Sequence, residues 1–204
     1  MGGYSGPKVR LSRSLGVAIA ETPKHVNPKR DKRPGIHGYR RVRRSLYGTQ
    51  LTEKQRIGRY YNIRDGQVQR YVREAQMAKR STTQVLQQLL ETRLDNVVRR
   101  VHWARTIWQG RQMVSHGHFL VNGRKVNVPS FNVMAGDVIS VKPRSENFVK
   151  QTAAAAEDMG FRVPDWLSLD EGKLKARVLY LPQLNDVLLP FDVDFSSVIE
   201  FYTR

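Results

Sequence analysis

Apolar residues recur at helical spacing through the middle of the chain and alternate at strand spacing further on. Between Asp65 and Lys79, Val68, Tyr71, Val72 and Ala75 fall at i, i+3, i+4 and i+7, the one-sided stripe of an amphipathic helix. Helical signals begin at Ser45, and Thr52 and Gln55 stand at capping-box spacing before EKQRIGRYY, which predicts a basic helix from Glu53. Ser81 and Gln84 repeat that spacing ahead of Leu86, Leu89 and Leu90, completing a three-helix unit. A second unit opens at Arg93. Leu94, Val97, Val98 and Val101 share one helical face, with Arg99 and Arg100 off it. Thr106 and Gln109 cap a short helix to Val114, which Gly117 ends in the left-handed conformation.

The period then changes. Phe119–Val121 and Lys125–Val128 read as strands around Asn122-Gly123, a pair that favours a tight hairpin because both turn residues must take positive φ. Ala135-Gly136-Asp137 turns into a third strand, Val138–Val141. A helix over the AAAA run, two strands at WLSL and KARVLYL, and a terminal helix striped by Val198, Ile199 and Tyr202 follow. A helix that short needs a docking surface, and the first helical unit is the candidate. The fold class is α+β: an all-helical domain plus a small α/β domain, two short helices on a mainly antiparallel sheet. The expected boundaries are 1–44 for a basic extension, 45–92 with 191–204 for the helical domain, and 93–190 for the α/β domain.

Charge adds what the pattern lacks. Lys and Arg number 35 against 18 Asp and Glu, a net +17. Residues 1–44 carry net +10, 45–92 net +4, 93–150 net +7, and 151–204 net −4. Such an excess repels itself until a polyanion neutralises it, which makes nucleic acid the leading partner. The basic stretches lack the apolar face of an interfacial helix, no apolar run approaches the roughly 20 residues that span a bilayer, and the N-terminus has no signal-peptide core. A membrane partner is therefore not expected. There is no cysteine, which excludes disulfides, thiolate metal sites and cysteine nucleophiles and fits a reducing cytoplasm. Residues 1–44, rich in glycine, proline and charge, read as a segment with little regular structure, either a disordered basic tail or one that folds against RNA.

The run LETRLDNVVRRVHWARTIWQGRQMVSHGHFLVNGRKVNVPSFNVMAGDVI, Leu90 to Ile139, resembles the signature of the small-subunit ribosomal protein S-four family in its bacterial form. The likeness extends to PGIHG and YGTQLTEKQR upstream and to IEFYTR at the end. It implies a helical domain into which a small RNA-binding domain is inserted, so that the C-terminal helix returns to the first. It further implies primary binding of 16S ribosomal RNA at a multi-helix junction, nucleation of subunit-body assembly, protein S-five as a neighbour, and a place on the messenger RNA entry path with an influence on decoding accuracy. Many members of the family bind zinc near the N-terminus through cysteines. Here Val9 and Ser12 stand at the first pair, and His25 and His37 cannot make a four-ligand site alone, so the chain resembles the zinc-free branch and no cofactor is expected. Gly110 stands where the family usually has alanine, at a cost of about 1 kcal/mol in helix propensity.

The RNA-contacting residues are expected to be Arg10, Arg13, Arg40, Arg41, Arg43, Arg44, Lys54, Gln55, Arg56, Arg59, Arg99, Arg105, Arg111, His116, His118, Asn122, Arg124 and Lys125. Arg124 and Lys125 follow a stiff turn, so they lose little entropy on meeting phosphate. His116 and His118 leave three readings open: a metal pair short of a third ligand, turn histidines bonded to backbone, or RNA contacts. Trp103 and Trp108 are either core or stacking residues. The same kind of module accompanies pseudouridine synthases and other non-ribosomal RNA binders, and Arg93-Leu94-Asp95 echoes a synthase tripeptide. Asp95 sits at the start of a helix, however, where the helix dipole favours a carboxylate. With no phosphate loop, paired-carboxylate motif or nucleophile–base signature, no catalytic residue is assigned.

Overall fold

A computed structural model describes residues 4, 6–19, 32–40, 43–157, 162–187 and 189–203. The described residues divide into two compact units, one within 1–83 and 189–204, the other within 84–188.

The first unit is helical. α1 (Lys8–Leu15), α2 (Leu46–Tyr60), α3 (Asp65–Met77) and the C-terminal helix α8 (Phe195–Thr203) enclose Leu15, Ile57, Tyr60, Val68, Tyr71, Val72, Ala75, Phe195 and Val198, all buried. The α3 stripe read from the sequence is the buried face. Two expectations are corrected. Part of the N-terminal segment is regular: α1 ends on Gly16 at φ 70° and buries Leu15, and the following Ile19 is buried too. α2 begins seven residues before Glu53, at Leu46, where the Ser45 hydroxyl accepts from the Gly48 amide. Thr52 lies inside that helix with its hydroxyl donating to the Gly48 carbonyl at 2.7 Å, so its spacing to Gln55 marks no cap.

α8 docks on α2 and α3, as its apolar stripe requires. Its first turn is capped by Asp194, whose carboxylate accepts from the Ser196 and Ser197 amides and, at 2.6 Å, from the Ser197 hydroxyl. Its last turn is tied by Tyr202, whose hydroxyl donates to Asp65 at 2.6 Å, and Lys54 meets the same carboxylate at 2.8 Å. These hydrogen bonds hold the Asp65 and Asp194 carboxyls below the ordinary carboxylate range. A carboxyl depressed in the folded state stabilises fully above its unfolded pKa of about 3.9 and loses that contribution as pH falls through its folded value. The thermal midpoint should therefore drop as pH falls below about 4. Measured from pH 5 to pH 2, the drop should be shallower in the Asp65→Asn, Asp194→Asn double variant.

The second unit places helices beside a five-stranded sheet. α4 (Thr82–Glu91) lies almost wholly within it and is followed by α5 (Leu94–Arg100) and α6 (Ile107–His116). β1 (Phe119–Val121), β2 (Arg124–Lys125), β3 (Val138–Val141), β4 (Leu167–Leu169) and β5 (Lys175–Val178) order as β2-β1-β3-β5-β4, every pairing antiparallel. α7 (Glu146–Glu157) covers the AAAA run. The core joins Leu94, Val97, Val98 and Val101 of α5 and its C-cap to Val114, Phe119, Ile139, Trp166 and Val178. Trp103 is fully buried, stacked on Phe119 with ring centroids 5.4 Å apart, and its indole donates to the Lys173 carbonyl, so it is a core residue.

The strand expected over Lys125–Val128 stops at Lys125. The chain leaves the sheet, and the Pro129 and Phe131 carbonyls accept from the Asp95 and Leu94 amides, satisfying the orphan donors of the α5 N-terminus. Gly110 has a steric reason as well as a propensity cost: a Cβ there would stand 2.7 Å from the Asp95 carbonyl oxygen, so glycine allows α6 to pass close to α5.

Candidate nucleic-acid interface

The turn of the hairpin forms as read, with a shorter second strand. Asn122 and Gly123 take φ 50° and 77°, and Leu120 and Val121 pair with Lys125 and Arg124. Arg124 and Lys125, directly after this turn of two residues, are both exposed. The Lys125 side chain crosses Gly117, the left-handed C-cap of α6 at φ 74°, where any Cβ would collide with Lys125 Cε. A cation is thereby held near the negative end of a helix dipole. His116 is exposed, and its ring centroid lies 6.0 Å from that of His118. His118 is partly buried, with Nδ1 2.9 Å from the Ser145 hydroxyl. Burial, then His116 and Lys142, push its imidazole pKa down, so the neutral form prevails at pH 7. Its ring partner is thus a side-chain hydroxyl rather than backbone. Asn122, exposed, has its side-chain amide engaged by Asp137 and Val138.

The arginines of α5 and α6 have partners within their own unit. Arg99 is 6% exposed and donates to Asn96 at 3.0 Å. Arg100 grips Glu91 through Nε at 2.9 Å and a terminal nitrogen at 2.7 Å. Arg111, half-buried, reaches Asp95 at 3.4 Å. Arg105 is half-buried as well, near the start of α6. Thr106 caps that helix from the Gln109 amide, and Gln109 in turn accepts from the Arg105 amide at 2.9 Å. The i+3 capping signal was legible here; the buried counter-ions of the arginines were not.

In the helical unit several of the residues expected at RNA have partners within the fold. Arg56 donates through two nitrogens to the Leu15 carbonyl, closing the end of α1, and through the third to Glu53. Lys54 stands 4.3 Å from the Phe201 ring centroid besides pairing with Asp65. Arg59 lies over the Tyr4 ring at 4.8 Å, and Arg13 donates to the Lys32 carbonyl at 2.7 Å. Arg10, Arg40, Arg43, Arg44 and Gln55 are exposed, while Arg41 and His25 lie outside the described residues. Partial burial, followed by the Arg33 and Arg56 guanidiniums, lowers the Arg44 pKa, with Glu53 opposing them. Such crowding of like charge is relieved by an anion. It brings Arg33, absent from the expected set, into the candidate surface, as proximity to His118 does for Lys142. Their only sequence signal was the local charge excess.

Two family models match the chain. The Ribosomal protein S4/S9 N-terminal domain covers residues 3–91, and the S4 domain covers residues 92–139. Relatives named small ribosomal subunit protein uS4 match along the full length. That of Persephonella marina is 42% identical, covering 100% of both chains. That of a Synechococcus strain is 41% identical over 100% of this chain and 99% of its own, and that of Aquifex aeolicus 39% identical over 100% of both. The class is a structural, non-enzymatic ribosomal protein built around an RNA-binding S4 domain. More narrowly, the chain belongs to the small ribosomal subunit protein uS4 family.

Proposed function

We propose that this chain binds 16S ribosomal RNA directly, as a primary binder that nucleates assembly of the subunit body in the cytoplasm. The observation that carries this reading is the exposed Arg124–Lys125 pair directly after a two-residue turn, with Lys125 packed over the Gly117 C-cap of α6. Folded RNA is recognised largely through shape and backbone, which suits cations fixed on rigid elements. The exposed Arg10, Arg40, Arg43 and Arg44 extend the phosphate-facing set. The proposal includes protein S-five as a neighbour and messenger RNA at the entry path, with an effect on decoding accuracy. In favour of a protein neighbour, residues 151–204 carry net −4, and Leu179, Tyr180, Leu181 and Leu184 stand exposed among them.

The direct test is the Arg124→Ala, Lys125→Ala double variant. Its affinity for naked 16S RNA should fall, and the slope of log affinity against log salt should lessen by roughly 2, with far-UV circular dichroism unchanged. Equal affinity in the variant would remove the hairpin from the interface.

A further inference from the structure

We propose that Asp137, a residue assigned no contact with RNA, is the positioning residue of the Asn122-Gly123 hairpin. Its carboxylate joins two turns. One oxygen accepts from the Asn122 side-chain amide at 2.8 Å, and the other accepts from the Met134 amide at 2.8 Å. Asn122 passes the restraint on: its side-chain oxygen accepts from the Val138 amide at 2.9 Å, and its own amide donates to the Val138 carbonyl at 2.8 Å. Asp137 is itself anchored, since its carbonyl accepts from Val178 at 3.0 Å while the neighbouring Gly136 amide donates to Val178 at 2.8 Å.

Without this clamp the hairpin would be weakly held. β2 has two residues, lies at the sheet edge and pairs with β1 alone. A two-stranded ribbon is marginal by itself in water, and Asn122 occupies the left-handed region at φ 50°. Fixing its amide between Asp137 and Val138 fixes the turn, and with it the directions of Arg124 and Lys125. A carboxylate beside a surface meant for phosphate is unfavourable by charge alone. The geometry points to its being there for its two acceptor atoms.

The inference rests on the hairpin meeting RNA, and it is sharpened by the opposition of charge and geometry. Asp137→Asn raises the net charge by one, so electrostatics alone gives tighter RNA binding. The clamp gives weaker binding, because an amide cannot accept from both Asn122 and Met134. Asn122→Asp faces two carboxylates and also weakens binding. The exchanged pair, Asn122→Asp with Asp137→Asn, restores every bond with the direction of one reversed. The amide placed at position 137 would donate to the carboxylate placed at position 122 and accept from Met134, and that carboxylate would accept from Val138.

The experiment measures the affinity of all three variants for 16S RNA across a salt series, with hydrogen exchange at the Val138 amide. Each single variant should lose about fivefold in affinity, the scale of one ordinary hydrogen bond, and exchange faster at Val138. The exchanged pair should return both to within about twofold of the parent. Asp137→Asn binding as tightly as the parent or tighter, or an exchanged pair as weak as the single variants, would overturn the assignment. The Arg124→Ala, Lys125→Ala variant is run alongside. Should it keep full affinity, the hairpin reading itself fails, a result distinct from failure of the clamp.

Discussion

Affinity for small-subunit RNA is expected to fall on the order of a thousandfold between about 50 and 200 mM monovalent salt. The estimate follows from the cations that the fold leaves at the surface. Arg10, Arg40, Arg43, Arg44, Arg124 and Lys125 are exposed, and each phosphate met releases condensed counter-ions, for a slope of roughly 0.7 to 0.9 per contact. Had every basic residue expected at the interface taken part, the slope would be far steeper. Lys54, Arg56 and Arg99 are engaged by Asp65, by Glu53 with the Leu15 carbonyl, and by Asn96, and are not counted among the phosphate contacts. A filter-binding series over that range measures the slope. An affinity flat in salt would contradict phosphate contact altogether, and a slope near twice that predicted would mean that the internal pairs open on RNA.

Locally determined features were readable before the structure. The α3 stripe, the Thr106 cap, the left-handed Gly117 and the Asn122-Gly123 turn each depend on residues a few positions apart, and each is present as read. What failed depended on distant partners. Val126–Val128 has strand-like alternation, yet the chain leaves the sheet there because the free amides of α5 need the Pro129 and Phe131 carbonyls. Thr52 and Gln55 have capping spacing, yet Ser45 starts the helix. A basic side chain declares its charge in the sequence but not its partner: the Leu15 carbonyl that holds Arg56 is 41 residues away, and the Lys32 carbonyl that holds Arg13 is 19. Composition located the basic regions and left open which cations the fold keeps for itself.

Asp95→Ala is expected to cost the second unit about 3 to 5 kcal/mol, enough to lower the thermal midpoint of a unit this size by well over 10 °C, on the order of 4 °C or more per kcal/mol. Asp95 is fully buried and Arg93 is 1% exposed. They meet through two parallel bonds, Nε at 3.0 Å and a terminal nitrogen at 2.7 Å, with Arg111 approaching the same carboxylate. Burial pushes the Asp95 carboxyl pKa up, and the Arg93 and Arg111 guanidiniums oppose it. Alanine would remove both charge-assisted bonds that the buried Arg93 guanidinium makes to Asp95, and the loss of that pairing in the interior dominates the cost. Adding Arg93→Met to Asp95→Ala should therefore recover part of the stability, since the buried Arg93 charge goes with its partner and the contact still lost is the longer one to the more exposed Arg111. Thermal denaturation of the two single variants and the double gives the coupling directly. Additive losses would mean that the two side chains act separately. The same cycle assigns Asp95 a role that RLD alone could not: its partners are the arginines of its own domain, and its removal should be felt in folding before it is felt in RNA binding.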